Sequence, residues 1–178
     1  YRPGSESLIR ATEKTVEERL PPRIQIRENA PLELPHILIL IDDPEKTVIE
    51  PVSKAAISEK PVYDFDLMEQ GGHISSFLVS KSQQTQVLDA LSKLEEPKAF
   101  QQKYGISQKA VLLFAVGDGN HSLAAAKAVY QQKKEQLGEE ALSLPCRYAL
   151  VEIENVRDDA LVFEPIHRVI FNVDPDRF

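Results

Sequence analysis

The apolar positions of this chain fall into short runs with two different periods. Leu8, Thr12, Val16 and Leu20 recur every four residues with Ile9 beside them, which predicts a helix over residues 5–20. Ser5 is its expected N-cap, and Pro21-Pro22 is its expected stop, since neither proline donates a helical hydrogen bond. Ile24 and Ile26 then alternate with Arg23, Gln25 and Arg27, as in a strand with one wet face. Residues 37–41 are apolar throughout after His36 and predict a central strand covered on both faces. Residues 47–52 predict another strand, with Pro51 placing its end on an edge or bulge. Tyr63, Phe65 and Leu67 alternate with Asp64 and Asp66, and Gly71-Gly72 separates them from a returning strand over 73–80, so this pair predicts a hairpin. Helical spacing returns over 83–94 and 97–104, where Gly105 sits at the C′ position. Residues 110–116 form a second continuous apolar run, broken by Gly117-Asp118-Gly119. A helix over 120–137 follows, stopped by Gly138, and extended runs over 148–153 and 161–171 complete the chain.

This order predicts an α+β (or α/β) domain. A mixed β-sheet holds 37–41 and 110–116 as inner strands, with hairpins at its edges and helices covering at least one face. A faint internal echo, Asp42-Asp43 before Val48-Ile49-Glu50-Pro51 and Asp158-Asp159 before Val162-Phe163-Glu164-Pro165, is read as chance similarity.

Composition narrows the function classes. The 178 residues are 42% hydrophobic and 28% charged, which suits one globular domain, 1–178. The start at Tyr1 leads to the expectation of a domain excised from a longer protein. A single cysteine, Cys146, rules out an internal disulfide framework and suits a reducing, cytoplasmic setting. A net charge of −7 argues against nucleic acid as a partner, and no apolar run approaches the ~20 residues of a membrane span. A small anionic ligand stays compatible, and the oligomeric state is left open.

The chemistry concentrates where the second apolar run meets the long helix, in Gly117-Asp118-Gly119-Asn120-His121-Ser122 before an alanine-rich turn. A helix start offers free N–H groups and the positive end of the helix dipole, and glycines let the backbone approach a ligand closely. Gly117, Gly119, Asn120 and Ser122 are therefore candidate phosphate-binding residues. Asp118 is a candidate Mg²⁺ ligand or general base, and His121 a candidate donor or proton shuttle. The segment is not a Walker loop, because no Gly-Lys-Ser/Thr follows. The alternative is a plain strand-to-helix turn with Asp118 or Asn120 as cap.

These motifs, with Arg2-Pro3-Gly4-Ser5-Glu6, Pro21-Pro22-Arg23 and Glu164-Pro165-Ile166-His167-Arg168-Val169, resemble a bacterial and archaeal family, domain of unknown function 1015. The resemblance spans essentially the whole chain, and the family's members are longer. Its loop reads Asp-Gly-His-His-Arg, which is in turn similar to the nucleotide-binding motif of the ParB/sulfiredoxin superfamily. That superfamily includes an ADP-dependent serine kinase. The resemblance implies a partly ParB/sulfiredoxin-like fold and Mg²⁺ with ADP or ATP as cofactors. Asp118, Gly119 and His121 match the pattern, whereas Asn120 replaces His and Ser122 replaces the phosphate-contacting Arg. Arg168 is the candidate replacement charge, because arginine holds phosphate in a bidentate fork.

The remaining candidates have plainer readings. Arg23 and Arg27 share one face, either a solvated face or an anion-facing wall. His36, His73 and His167 read as structural or exposed, Asp42-Asp43 as a turn, and Cys146 as an apolar filler. A zinc site from His73, His121 and Asp118 would need long-range convergence. The leading expectation is a nucleotide- or phosphometabolite-binding enzyme, a small-molecule kinase or phosphohydrolase, with Asp118, His121 and Arg168 catalytic. The alternatives are a non-catalytic ligand-sensing or scaffold domain, and a structural subunit in which the loop only caps a helix.

Overall fold

The two continuous apolar runs and the 63–76 hairpin form strands, whereas the segment before residue 28 exchanges its expected helix and strand. The computed structural model describes residues 6–34, 36–107, 110–162, 164, 167 and 169–174. Its strands are β1 (Ile9–Ala11), β2 (Leu38–Ile41), β3 (Tyr63–Asp66), β4 (His73–Ser76), β5 (Phe114–Asp118) and β6 (Glu152–Asn155). Its α-helices are α1 (Leu20–Arg27), α2 (Glu50–Ala56), α3 (Lys81–Leu94), α4 (Pro97–Tyr104) and α5 (Asn120–Leu137).

Four strands form a mixed sheet in the order β1-β5-β2-β6, so the two apolar runs contribute its inner strands as expected, although the second strand spans 114–118 rather than 110–116. β1 and β5 are parallel, β5 and β2 antiparallel, and β2 and β6 parallel. The hairpin β3–β4 forms as expected, but as a separate two-stranded sheet rather than at an edge of the larger one. The class is thus α+β. No helix among the described residues is long and apolar enough to cross a membrane.

One sheet face carries the core. Ile37, Ile39 and Ile41 are almost fully buried, and each contributes about 1.5–3 kcal/mol by leaving water. Leu123 of α5 packs on Ile37, Ile39 and Val116. Val87, Ala90, Leu91 and Leu94 of α3 join Ile41 and Val48, while Phe100 of α4 joins Val111 and Leu113. β2 was expected to be covered on both faces. Instead its other face, Leu38 and Leu40, is half-buried, and the neighbouring β6 residues there are Glu152 and Glu154.

Several expected elements changed type, each for a local reason. The expected helix over 5–20 is replaced by β1 and a 3₁₀ turn, Glu17–Arg19. Ile9–Ala11 pairs with Phe114–Val116, and Leu8 accepts backbone bonds from Leu113 and Phe114. Ser5, the expected N-cap, lies outside the described residues. Pro21 and Pro22 open α1 rather than ending a helix, because the first helical turn needs no N–H donor. Ile24 and Ile26 are therefore helical. The expected strand over 47–52 is also lost, with Pro51 in the first turn of α2. The buried Asp43 carboxylate accepts the Thr47 and Val48 N–H groups at 2.5 and 2.8 Å, leaving neither for a ladder. α3 begins at Lys81 rather than Gln83, because Ser80 and Gln83 form a reciprocal capping box. The expected strand over 161–171 is absent among the described residues, and the second half of the internal echo falls partly outside them.

α4 and α5 follow the expected pattern closely. Gly105 ends α4 with φ 61°, and Gly138 caps α5 with φ 59°. Gly119, the N-cap of α5, has φ 81°, and a Cβ there would stand 2.9 Å from Ile37 Cα and 3.0 Å from the His36 carbonyl oxygen. Both neighbours are backbone and cannot swing aside. Gly119→Ala is therefore expected to cost about 2–3 kcal/mol in urea unfolding. Gly105→Ala has open space and costs only the ~1–2 kcal/mol of a left-handed backbone. Equal losses at the two sites would contradict the packing account.

Candidate functional site

The strand end that feeds α5 is shaped by a bulge. Leu38 pairs with Asp118 and Ile39 with Val116, so Gly117 is the extra residue of β5. β5 therefore continues through Gly117 to Asp118 instead of breaking at Gly117. Unlike Gly119, Gly117 is not among the positive-φ glycines. A side chain there would meet Leu40 Cδ1 at 3.1 Å, so close strand packing accounts for the glycine.

The predicted loop residues face different ways. Asp118 is exposed, and its carboxylate accepts the Gly119 N–H at 2.6 Å. It lines a small cavity of about 210 Å³ with Thr12, Glu13 and Asn120. Neither Asp118 nor Asn120 caps α5, whose N-cap is Gly119 with no side-chain bond. His121 Nε2 accepts the Val16 N–H at 3.0 Å, and Asn120 Nδ2 approaches Thr15 Oγ1 at 3.4 Å. An accepting Nε2 places the imidazole proton on Nδ1. Both side chains thus fasten the segment after β1 over the start of α5.

Ser122 faces a larger space between α1 and α5. That cavity measures about 750 Å³ and is walled by Arg23 and Arg27 from α1 and by Ser122 and Lys133 from α5, with His36 beside them. Two carboxylates, Glu28 and Glu33, share the lining with these cations, and apolar Ile26, Leu32, Leu34, Ala125 and Val129 complete it. α1 and α5 pack against each other directly. Residues four apart share a face on a strand and on a helix alike, so the change of α1 to a helix keeps Arg23 and Arg27 together. Arg27 pairs with Glu33 at 2.7 Å, at an angle that leaves Glu33 Oε1 without a directed hydrogen bond. Arg23 donates to the Arg19 carbonyl at 2.9 Å, and His36 Nδ1 lies 2.9 Å from the Leu34 carbonyl oxygen.

Sequence reasoning missed Lys133. It lies eleven residues beyond Ser122, three helical turns along the same face, and that spacing was the available signal. Arg168, the expected replacement charge, lies outside the described residues. Among the described residues no group of three or more His, Cys, Asp or Glu side chains is placed to hold a metal ion, so His73, His121 and Asp118 do not converge.

The family match spans the whole chain. The family described as "Protein of unknown function (DUF1015)" matches residues 1–178. The chain belongs to the DUF1015 family. No curated protein and no solved structure matches it. Within this DUF1015 chain, function has to be argued from the cavities and charges themselves.

Two further polar clusters stand apart from α5. Asp42, at the end of β2, is bound by Arg157 at 2.7 Å, Lys103 at 2.9 Å and the Tyr104 hydroxyl. Burial alone would raise its pKa, but hydrogen bonds from Arg157, Tyr104 and Lys103 hold the carboxyl well below the usual range. Tyr104 is pushed up to about 12 by burial and by the adjacent carboxylate. This cluster joins β2, α4 and the turn after β6.

On the hairpin, His73 bridges Asp66 at 2.8 Å and Asp64 at 2.6 Å, and Ser75 donates to Asp64 at 2.7 Å. Asp66 and then Asp64 raise the His73 pKa above 6.5. Ser75 and then His73 lower the Asp64 pKa below 3.8. The contribution to hairpin stability is present below pH 6.5 and fades as pH rises through the raised His73 value. It fades again as pH falls through the lowered Asp64 value. The groups are exposed, so salt weakens the effect. In an NMR titration His73 should show a pKa above 6.5 that returns towards it in the Asp64→Asn/Asp66→Asn variant. A wild-type value at or below 6.5 would contradict the bridge.

Proposed function

We propose that this chain binds a phosphate-bearing metabolite, nucleotides included, in the cavity between α1 and α5. The observation that supports this reading is that Arg23 and Arg27 of α1 line the same cavity as Ser122 in the first turn of α5, with Lys133 on that cavity three turns further along the helix. The backbone bond that closes this turn runs from Leu123 N–H to the Gly119 carbonyl. The N–H groups of residues 120–122 precede it and have no partner within the helix. No acidic residue in that turn opposes an anion. The charge missing at Ser122 is thus supplied across the cavity by α1, and the apolar lining suits the organic part of the ligand. About 750 Å³ is within the range of small-molecule sites.

A ligand-sensing role fits the surroundings better than turnover. His121 is engaged by Val16, Asp118 by Gly119, and neither lines this cavity. In the alternative, a small-molecule kinase or phosphohydrolase, Asp118 holds Mg²⁺ or takes a proton and His121 stabilises charge, so both must turn towards the ligand.

Isothermal titration of the full chain with ADP, ATP and phosphate tests the binding. Arg23→Ala/Arg27→Ala should lower affinity about tenfold or more, because charge-assisted hydrogen bonds contribute ~1.5–3 kcal/mol each. No binding by the wild-type chain, or unchanged binding by this variant, would contradict the site. A turnover assay separates the two roles. ATP or ADP hydrolysis abolished by Asp118→Ala favours the enzyme, and binding without turnover favours the sensor.

A further inference from the structure

α5 has a second cavity on another of its faces. Asn120, Ala124, Lys127 and Gln131 recur at helical spacing there, away from the Ser122, Ala125, Val129 and Lys133 face that meets α1. The space measures about 960 Å³ and lies between α5, β1 and the 3₁₀ turn Pro145–Arg147.

Its chemistry differs from the rest of the chain. Acidic residues outnumber basic ones 28 to 21 overall, yet none of the described residues lining this cavity is acidic. Arg10, Lys127 and Arg147 line it together with the rings of Tyr130 and Tyr148. Arg10 is committed to the fold, since its guanidinium donates to the Ala110 and Val111 carbonyls at 3.0 and 2.6 Å. Lys127 and Arg147 are exposed at the cavity; the Arg147 guanidinium donates through one nitrogen to the Leu142 carbonyl at 3.2 Å and lies 5.5 Å from the Tyr148 ring centre. Tyr148 is 66% exposed, which leaves ring surface for a flat partner. A tyrosine ring with a cation beside it favours an aromatic group that also carries negative charge.

We propose that this second cavity binds an aromatic anion, a flat ring of nucleobase or phenol size bearing a phosphate or a carboxylate. Tyr148 and Tyr130 hold the ring, and Lys127 and Arg147 hold the charge. A volume of about 960 Å³ accommodates a molecule of mononucleotide size. The site rests on residues other than those of the α1–α5 cavity, so either reading stands without the other.

The test is a ¹⁵N NMR titration of the full chain with two probes, AMP for the phosphate and 4-hydroxyphenylacetate for the carboxylate. At least one should bind, with shifts at Lys127, Tyr130 and Tyr148, and the probe that does so identifies the charged group. Lys127→Ala/Arg147→Ala should weaken that probe about tenfold or more, and Tyr148→Ala about tenfold by loss of stacking. Ser122→Glu, on the first cavity, should leave the shifts at Lys127, Tyr130 and Tyr148 unchanged. Circular dichroism confirms that each variant is folded. The proposal is overturned if neither probe binds, if the shifts map only to the α1–α5 cavity, or if the Lys127→Ala/Arg147→Ala variant keeps the wild-type shifts at Tyr130 and Tyr148 with unchanged affinity.

Discussion

The start of α5 is pressed against the backbone entering β2, and this contact sets the geometry of everything around it. Space for a side chain at Gly119 is closed by Ile37 Cα at 2.9 Å, and the residue adopts φ 81°. Only glycine meets both demands without strain. The contact fixes where α5 leaves the sheet, and Leu123 then lies on Ile37, Ile39 and Val116. With α5 in place, α1 packs along one side of it, and the cavity that follows β1 opens on another.

Buried polar groups hold the opposite end of the sheet. Asp43 and Asn155 are 1% and 3% exposed, at the adjoining ends of parallel β2 and β6. Asn155 accepts the Asp43 N–H and donates to the Asp43 carbonyl and to Glu50, at 3.2, 2.9 and 2.9 Å. Asp43 in turn occupies the N–H groups that would otherwise begin a strand at Thr47. Buried groups satisfied in this way fix one arrangement of chain, because leaving any of them unpaired costs about 1–3 kcal/mol. Asp42, one residue earlier, faces the surface instead and gathers Arg157, Lys103 and Tyr104. Two adjacent aspartates read as a turn therefore do different work, one inside the fold and one at its edge.

The inner strands, the hairpin, α4 and α5 were legible because their signals were local: continuous apolar runs, clean alternation, and glycine at a helix end. The errors came where a local signal has two meanings. Pro21-Pro22 read as a helix stop and Pro51 as the edge or bulge of a strand, yet all three lie in the first turn of a helix, since proline is excluded from the helix interior and tolerated there. Ile9–Ala11 read as helical because its spacing suited a helix, and its pairing with β5 lies more than a hundred residues away. At the candidate site the residue types at Asp118, Asn120 and His121 suggested chemistry, while their partners are backbone and side-chain groups of the chain itself. No local pattern distinguishes those cases. The cationic wall of Arg23, Arg27 and Lys133 depends on α1 lying across α5, which the sequence order alone does not reveal.

In the proposed function, the space between α1 and α5 receives an anion at the first turn of α5. A crystal structure of the full chain grown with ADP tests it most directly. The expected result is a phosphate group against Ser122 and the N–H groups beside it, with the guanidinium of Arg23 or Arg27 within hydrogen-bond distance. Phosphate bound only elsewhere, or α1 closed onto α5 with no space between them, would contradict it.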